Sequence, residues 1–255
     1  MSGVRRPSGL LLTAVVGGLA VCAAGCGGTS TRSAPAPGAE VTATAATSPT
    51  APAAHPGPRW ASRLPSRTTQ VVRTVSDHRY CARVYCTVTQ AWERRSGTWT
   101  MLRQFRSTIG PRGWGKTHEN DQRSPYGVFR IVVTFSTGEQ NPGAMPWRRR
   151  LPTSTVSDEH GPFYNTWIEE PGRTDGDRPA MRYGFIVDYN HVRLRPGAGP
   201  APDPTAGSGI FYHTARPGHR WEPTDGCTSL GRPADMRWVL RWLRPEAEPR
   251  VVQNL

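Results

Sequence analysis

Lysine is almost missing from this chain: Lys116 is the only one, and every other basic residue is an arginine. Acidic residues are also scarce, 19 against 32 basic ones, for a net charge of +13. No apolar run reaches the roughly 20 residues that a spanning helix needs. Paired Cys-x-x-Cys or His-x-x-x-His spacings are absent, which removes the usual zinc frameworks. A site built from His213, His219 and Cys227 alone lacks a fourth ligand. The His-x-Glu and Pro-Cys-x-x-Cys pair of zinc deaminases is missing too. There is no internal repeat, and no basic-aromatic motif of the kind that reads nucleic acid. The sequence therefore implies no metal, no cofactor and no nucleic-acid partner. The surplus of arginine, with 27 Gly and 25 Pro, fits adhesion to anionic polymers and lipid headgroups of a cell envelope.

The amino terminus points to that compartment. Arg5 and Arg6 precede an uncharged, apolar stretch from Gly9 to Ala24, the pattern of a secretory signal. It ends in Ala23-Ala24-Gly25-Cys26, which resembles a bacterial lipobox, so residues 1–25 are expected to be a lipoprotein signal peptide and Cys26 the lipidated residue. The alternative is an ordinary signal peptide that happens to contain cysteine. Residues 26–65 are dominated by Ala, Pro, Thr, Ser and Gly, with too little to bury to repay ordering entropy, and are expected to form a disordered tether. Residues 66–255 have the size of one domain.

Five cysteines divide by position. Cys22 leaves with the signal and Cys26 is assigned to lipid, so Cys81, Cys86 and Cys227 remain. An oxidising compartment favours pairing two of them. Cys81 and Cys86 are close enough to pair across a tight bend, leaving Cys227 as the odd thiol; two reduced, buried thiols are the other reading.

Alternation makes the domain mainly β. Val84, Cys86, Val88 and Trp92 share one face of a run that turns at Arg95-Ser96-Gly97, and Trp99, Met101 and Phe105 return. Phe129, Ile131, Val133 and Phe135 alternate, as do Tyr183, Phe185, Val187 and Tyr189, and Gly209 to His213 reads as a short strand. One helix is expected near the carboxyl end. Pro233 opens it, Asp235 complements its positive end, Met236, Val239, Leu240 and Leu243 form its buried stripe, and Pro245 stops it.

The chemistry sits in Gly207-Ser208-Gly209-Ile210-Phe211-Tyr212-His213 followed by Thr224-Asp225-Gly226-Cys227-Thr228-Ser229-Leu230. A histidine ends one strand, and fourteen residues later a cysteine follows a glycine, where a tight turn exposes the thiol. A cysteine nucleophile works as the thiolate, so its ordinary pKa of about 8.5 is expected to be lowered by the neighbouring imidazole. Backbone N–H groups of such a turn suit an oxyanion. The histidine precedes the cysteine, the reverse of papain-like hydrolases.

These residues resemble the L,D-transpeptidase catalytic domain family, also called YkuD-type, in which a strand ending in His is followed by Ser/Thr-x-Gly-Cys. The stretch from Lys116-Thr117-His118-Glu119 through Arg123-Ser124-Pro125-Tyr126-Gly127-Val128-Phe129, the segments Tyr164-Asn165-Thr166-Trp167 and Asp188-Tyr189-Asn190, and the carboxyl helix Trp238 to Pro245 are similar as well. The likeness runs from about Thr68 to Asn254. It implies a β-sandwich with a short carboxyl-terminal helix behind a tether, and acyl transfer between peptidoglycan stem peptides. Cys227 is then the nucleophile and His213 the general acid and base. Asp225, Gly226 and Cys227 supply the oxyanion N–H groups, Thr224 supports the turn, and Thr214 is the neighbour that could orient His213. The commoner family motif carries His where this chain has Asp225, and its His-to-Cys interval is longer. Two alternatives remain open: an inactive wall-binding lipoprotein of the same fold, and a hydrolytic L,D-carboxypeptidase.

Overall fold

The computed structural model describes residues 57–174 and 178–255. The expected signal peptide, Cys26 and most of the expected tether lie outside the described residues. The tether's far end needs correcting. Order begins before residue 66, because Arg59–Arg63 form a 3-10 turn that buries Trp60 edge-on between Trp92 and Trp99, at 5.4 and 5.2 Å. A single tryptophan, overlooked among Ala and Pro, anchors the entry of the chain.

Among the described residues, eleven strands and one α-helix follow. They are β1 (Gln70–Ser76), β2 (Cys86–Arg95), β3 (Thr98–Thr108), β4 (Gly127–Ser136), β5 (Trp147–Arg149), β6 (Ser154–Val156), β7 (Trp167–Glu169), β8 (Tyr183–Val187), β9 (Phe211–His213), β10 (Thr228–Ser229), α1 (Pro233–Trp242) and β11 (Arg250–Gln253). The fold is mostly β with one short carboxyl-terminal helix, as the alternation implied. Nine strands form one sheet in the order β11-β1-β2-β3-β10-β9-β8-β4-β5, and β11 also pairs with β4. That extra pairing closes the sheet on itself, so the two packed faces belong to one continuous ladder. β6 and β7 form a separate two-stranded ribbon.

The expected hairpin turns at Ser96 and Gly97, both at positive φ. Its register shifts at Ala91/Trp92, a bulge that leaves Met101 and Leu102 exposed although Met101 was read as part of the alternating face. Val84 is exposed too, and β2 begins only at Cys86. Cys81 and Cys86 are joined by a disulfide with α-carbons 6.1 Å apart, across the turn in which Cys86 N–H donates to Arg83 O.

The period of two divides the core in a way that decides the site. Phe185 and Val187 of β8 point to the cluster beneath α1, while Ile186 points to a second cluster with Val133, Phe135 and Trp167. β9 does the same: Tyr212 joins the first cluster and Phe211 the second. The helix closes the first cluster with Met236, Val239, Leu240 and Leu243, each fully buried. Burying side chains of that size stabilises by about 1.5–3 kcal/mol each. Trp238 and Trp242 stack 5.6 Å apart on the helix flank, against Phe105.

Candidate active site

His213 is the last residue of β9, and Cys227 immediately precedes β10. The two strands pair in parallel, with Thr228 opposite Tyr212 and Ser229 opposite His213. Cys227 therefore falls beside Phe211, on the face away from Tyr212 and shared with His213. Both side chains line the same cavity.

The turn before Cys227 is built for its place. Gly226 has φ +131°, and a Cβ there would stand 2.8 Å from Arg123 O, so only glycine fits. The Thr224 hydroxyl donates to Cys227 O at 2.6 Å and accepts Gly226 N–H at 3.3 Å. The Ser124 hydroxyl donates to Gly226 O at 2.7 Å, and Thr224 N–H donates to Ile109 O. Thr224 thus supports the turn, but it also occupies one of the three N–H groups expected to hold an oxyanion. Asp225 and Cys227 are the remaining candidates.

His213 is buried and has one ring nitrogen committed. Nδ1 lies 2.6 Å from Thr214 O; a carbonyl only accepts, so Nδ1 carries the proton and Nε2 the lone pair. It is the Thr214 carbonyl that orients the ring. The Thr214 hydroxyl is spent on Pro179 O and Ala180 O, in the 3-10 turn Pro179–Met181. Burial is the main reason that the imidazole pKa lies below its ordinary value.

The thiol departs from expectation. Cys227 keeps part of its surface open, yet the atoms packed around Sγ push its pKa up to about 11, mainly through burial. Phe211 N–H donates to Sγ at 3.4 Å and lowers it, the Asp225 charge raises it, and Lys116 and Arg150 lower it. The thiol itself donates to Gly209 O at 3.5 Å. The pair rests as neutral thiol and neutral imidazole, whereas a thiol pKa lowered by the imidazole was the expectation. An imidazole in that state takes the proton as the thiol attacks.

Two cavities meet at Cys227. One, of about 270 Å³, is lined by Lys116, Glu119, Arg150, Asp158 and the Ser208 to Phe211 stretch. The other, of about 490 Å³, is lined by His213, Arg216, His219, Glu222 and Ser229. Asp225, Arg178 and Met181 border both. A larger cavity of about 600 Å³ beside β5, lined by Trp147, Arg148 and Leu194, contains neither thiol nor imidazole.

Several site residues had escaped the sequence reading. Lys116 is buried against Asp121, Nζ to Oδ1 3.4 Å. Asp121 also accepts N–H bonds from Thr117, His118 and Arg123, which outweigh burial and hold its pKa down to about 2. Arg150 lies over the rings of Phe135, Trp167 and Phe211. Asn165 reaches Gly209 N–H, Tyr189 O and Asn190 O. Lys116 and Asn165 stand in stretches that resemble the family, but nothing in those stretches marks either one as part of the site.

A closed β-sheet thus places a cysteine and a histidine on one face, with two clefts meeting at the cysteine and the histidine lining one of them. The chain belongs to the L,D-transpeptidase catalytic domain family (YkuD), which matches residues 86–252. Among solved structures it is similar to the helical cell shape determining protein Pgp2 (K307A mutant) from Campylobacter jejuni, at 14% identity and a TM-score of 0.39. That alignment covers 72% of this chain and 46% of the other, so the chain spans less than half of that protein. No curated protein matches the sequence.

The resting state is testable by alkylation. Iodoacetamide should react slowly with Cys227 at neutral pH, with a rate still climbing at pH 10, because thiolate forms only as pH nears about 11. Asp225→Asn removes a charge that raises the thiol pKa and should move the curve to lower pH. A plateau below pH 8 in the wild type would show a preformed thiolate instead.

Proposed function

We propose that this protein is a cysteine-dependent peptidoglycan L,D-transpeptidase. Cys227 attacks the carbonyl of the third residue of a tetrapeptide stem, D-alanine leaves, and the acyl group passes to the side-chain amine of another stem. The observation that carries the reading is the placement of Cys227 and His213 on one face of paired strands, with both side chains lining one cleft and Cys227 at its junction with a second.

The geometry supports a stepwise account. His213 Nε2 takes the Cys227 proton as sulfur attacks, so charge develops only as the bond forms. The tetrahedral oxyanion is held by the N–H groups of Asp225 and Cys227. His213 returns the proton to the departing amine, and D-alanine leaves a thioester. The second stem's amine then attacks, and Cys227 is released. General-base help of this kind contributes about a hundredfold to ten-thousandfold.

A second reading has specific support. The raised thiol pKa and the charge of Asp225 both favour an inert cysteine, in a protein that keeps the fold and binds the wall. A carbapenem separates the two readings, because its strained lactam carbonyl acylates an activatable thiol without a peptide substrate. The expected result is a covalent adduct at Cys227, lost in Cys227→Ala and slowed at least about a hundredfold in His213→Ala. A folded wild-type protein that forms no adduct would leave the wall-binding reading in its place.

The proposal extends to placement. Residues 1–25 act as a lipoprotein signal, lipidated Cys26 holds the chain at the outer face of the cytoplasmic membrane, and the Ala/Pro/Thr-rich stretch lets the domain reach the wall. Cell fractionation tests this. Cys26→Ala should block processing or shift the protein from the membrane to the medium, whereas unchanged membrane attachment would refute the anchor.

A further inference from the structure

The proposed reaction needs two different proton acceptors. His213 has its single lone pair back at Nε2 once D-alanine has left, and in the second half-reaction that one site can relay only one of the two protons an acceptor ammonium sheds, the one that goes to sulfur. An acceptor amine with an ordinary pKa of about 10.4 arrives as an ammonium at neutral pH, and an ammonium is not a nucleophile.

A second imidazole borders the same cavity as His213 and Cys227. His219 Nδ1 lies 2.7 Å from Glu222 Oε1. The carboxylate accepts, so Nδ1 carries a proton, and in the neutral ring Nε2 is the nitrogen with the lone pair. The other carboxylate oxygen, Oε2, accepts from the Arg216 guanidinium at 3.2 Å. Hydrogen bonds to His219 and Arg216 hold the Glu222 carboxyl below its usual range, so it stays ionised beside the ring.

The segment carrying this dyad is fixed at several points. His219 N–H donates to Arg216 O and Glu222 N–H to His219 O, around Gly218 at φ +81°. The Thr108 hydroxyl ties Glu222 O to β3 at 2.8 Å. Trp221 is sandwiched, with the Arg106 guanidinium 4.1 Å from its ring centre and Gly231 beneath, where a Cβ would come within 2.5 Å of the ring. An exposed ion pair by itself adds little stability. This one is anchored to the sheet on both sides and borders the cavity of the nucleophile.

We propose that His219, held by Glu222, is the base that deprotonates the acceptor amine, which makes its wall of the cavity the acceptor side of the site. The inference rests on the acyl-transfer reading above. His219 Nε2 takes one proton from the ammonium, and Glu222 offsets the charge of the resulting imidazolium. The freed amine attacks the thioester carbonyl, the C–N bond forms and the C–S bond breaks. The second amine proton goes through His213 to the departing Cys227 sulfur, and the proton on His219 is lost to solvent. No oxidant or cofactor enters.

The test uses the full chain with tetrapeptide muropeptides as donor and a second muropeptide as acceptor. D-alanine release reports acylation, and the ratio of cross-linked to hydrolysed product reports acceptor use. His219→Gln should lower that ratio at least about tenfold, and Glu222→Gln should lower it less. Hydroxylamine, which is uncharged at neutral pH, needs no base before attack; with it, His219→Gln should form the hydroxamate as fast as the wild type. An unchanged ratio in His219→Gln overturns the proposal. So does a fall in hydroxamate formation equal to the fall in cross-linking, which would mark a structural role, and so does a wild type that only hydrolyses its acyl-enzyme. Absence of D-alanine release from the wild type, seen before any acceptor is added, defeats the acyl-transfer reading itself and this proposal with it.

Discussion

Thr228 pairs with Tyr212 and Ser229 with His213, and this two-residue parallel ladder carries the candidate site. Its neighbours hold it in register. The Tyr212 hydroxyl is fixed inside the sheet by Thr74 at 2.8 Å, and Gln253 of β11 donates to the Thr228 hydroxyl at 3.1 Å. With Tyr212 and Thr228 committed to the interior, alternation leaves Phe211, His213 and Cys227 no face but the other. A slip of one residue would bury the imidazole under α1 and expose the tyrosine. The closed sheet, the helix cap and the Thr224–Gly226 turn all serve to keep that slip from happening.

Electrostatics follow from the same burial. Crowding around Sγ disfavours the thiolate, and burial disfavours the imidazolium, so the two groups rest uncharged. Lys116 and Arg150 pull the thiol toward ionisation, and Asp225 pushes the other way. A neutral resting pair keeps the cysteine unreactive until a carbonyl is in place. A protonated thiol is also less open to oxidation than a thiolate.

The mostly β fold, the carboxyl-terminal helix with its buried stripe, and the order His213 then Gly226-Cys227 were all legible in the sequence, because they rest on periods of two and 3.6 and on local turn chemistry. The ladder that joins them was not, since β10 is two residues long and has no period of its own. The start of the domain was misjudged because one tryptophan, Trp60, outweighs a stretch of poor composition. The charge of Asp225, which raises the thiol's pKa, was visible in the sequence, but the main cause, burial around Sγ, arises only when the chain folds. Lys116 stood out as the only lysine, but a count says nothing of where a residue lies. Its ion pair with Asp121, in the wall of the nucleophile's cavity, depends on the loop between β3 and β4.

The central claim is that Cys227 performs acyl transfer on stem peptides with His213 as its base. The most direct measurement is incubation of the full chain with purified tetrapeptide muropeptides, read by mass spectrometry. The account predicts loss of D-alanine from the stem and a tripeptide acyl group held on Cys227 or passed to a second stem. A folded protein that binds these muropeptides and leaves every tetrapeptide intact would contradict it.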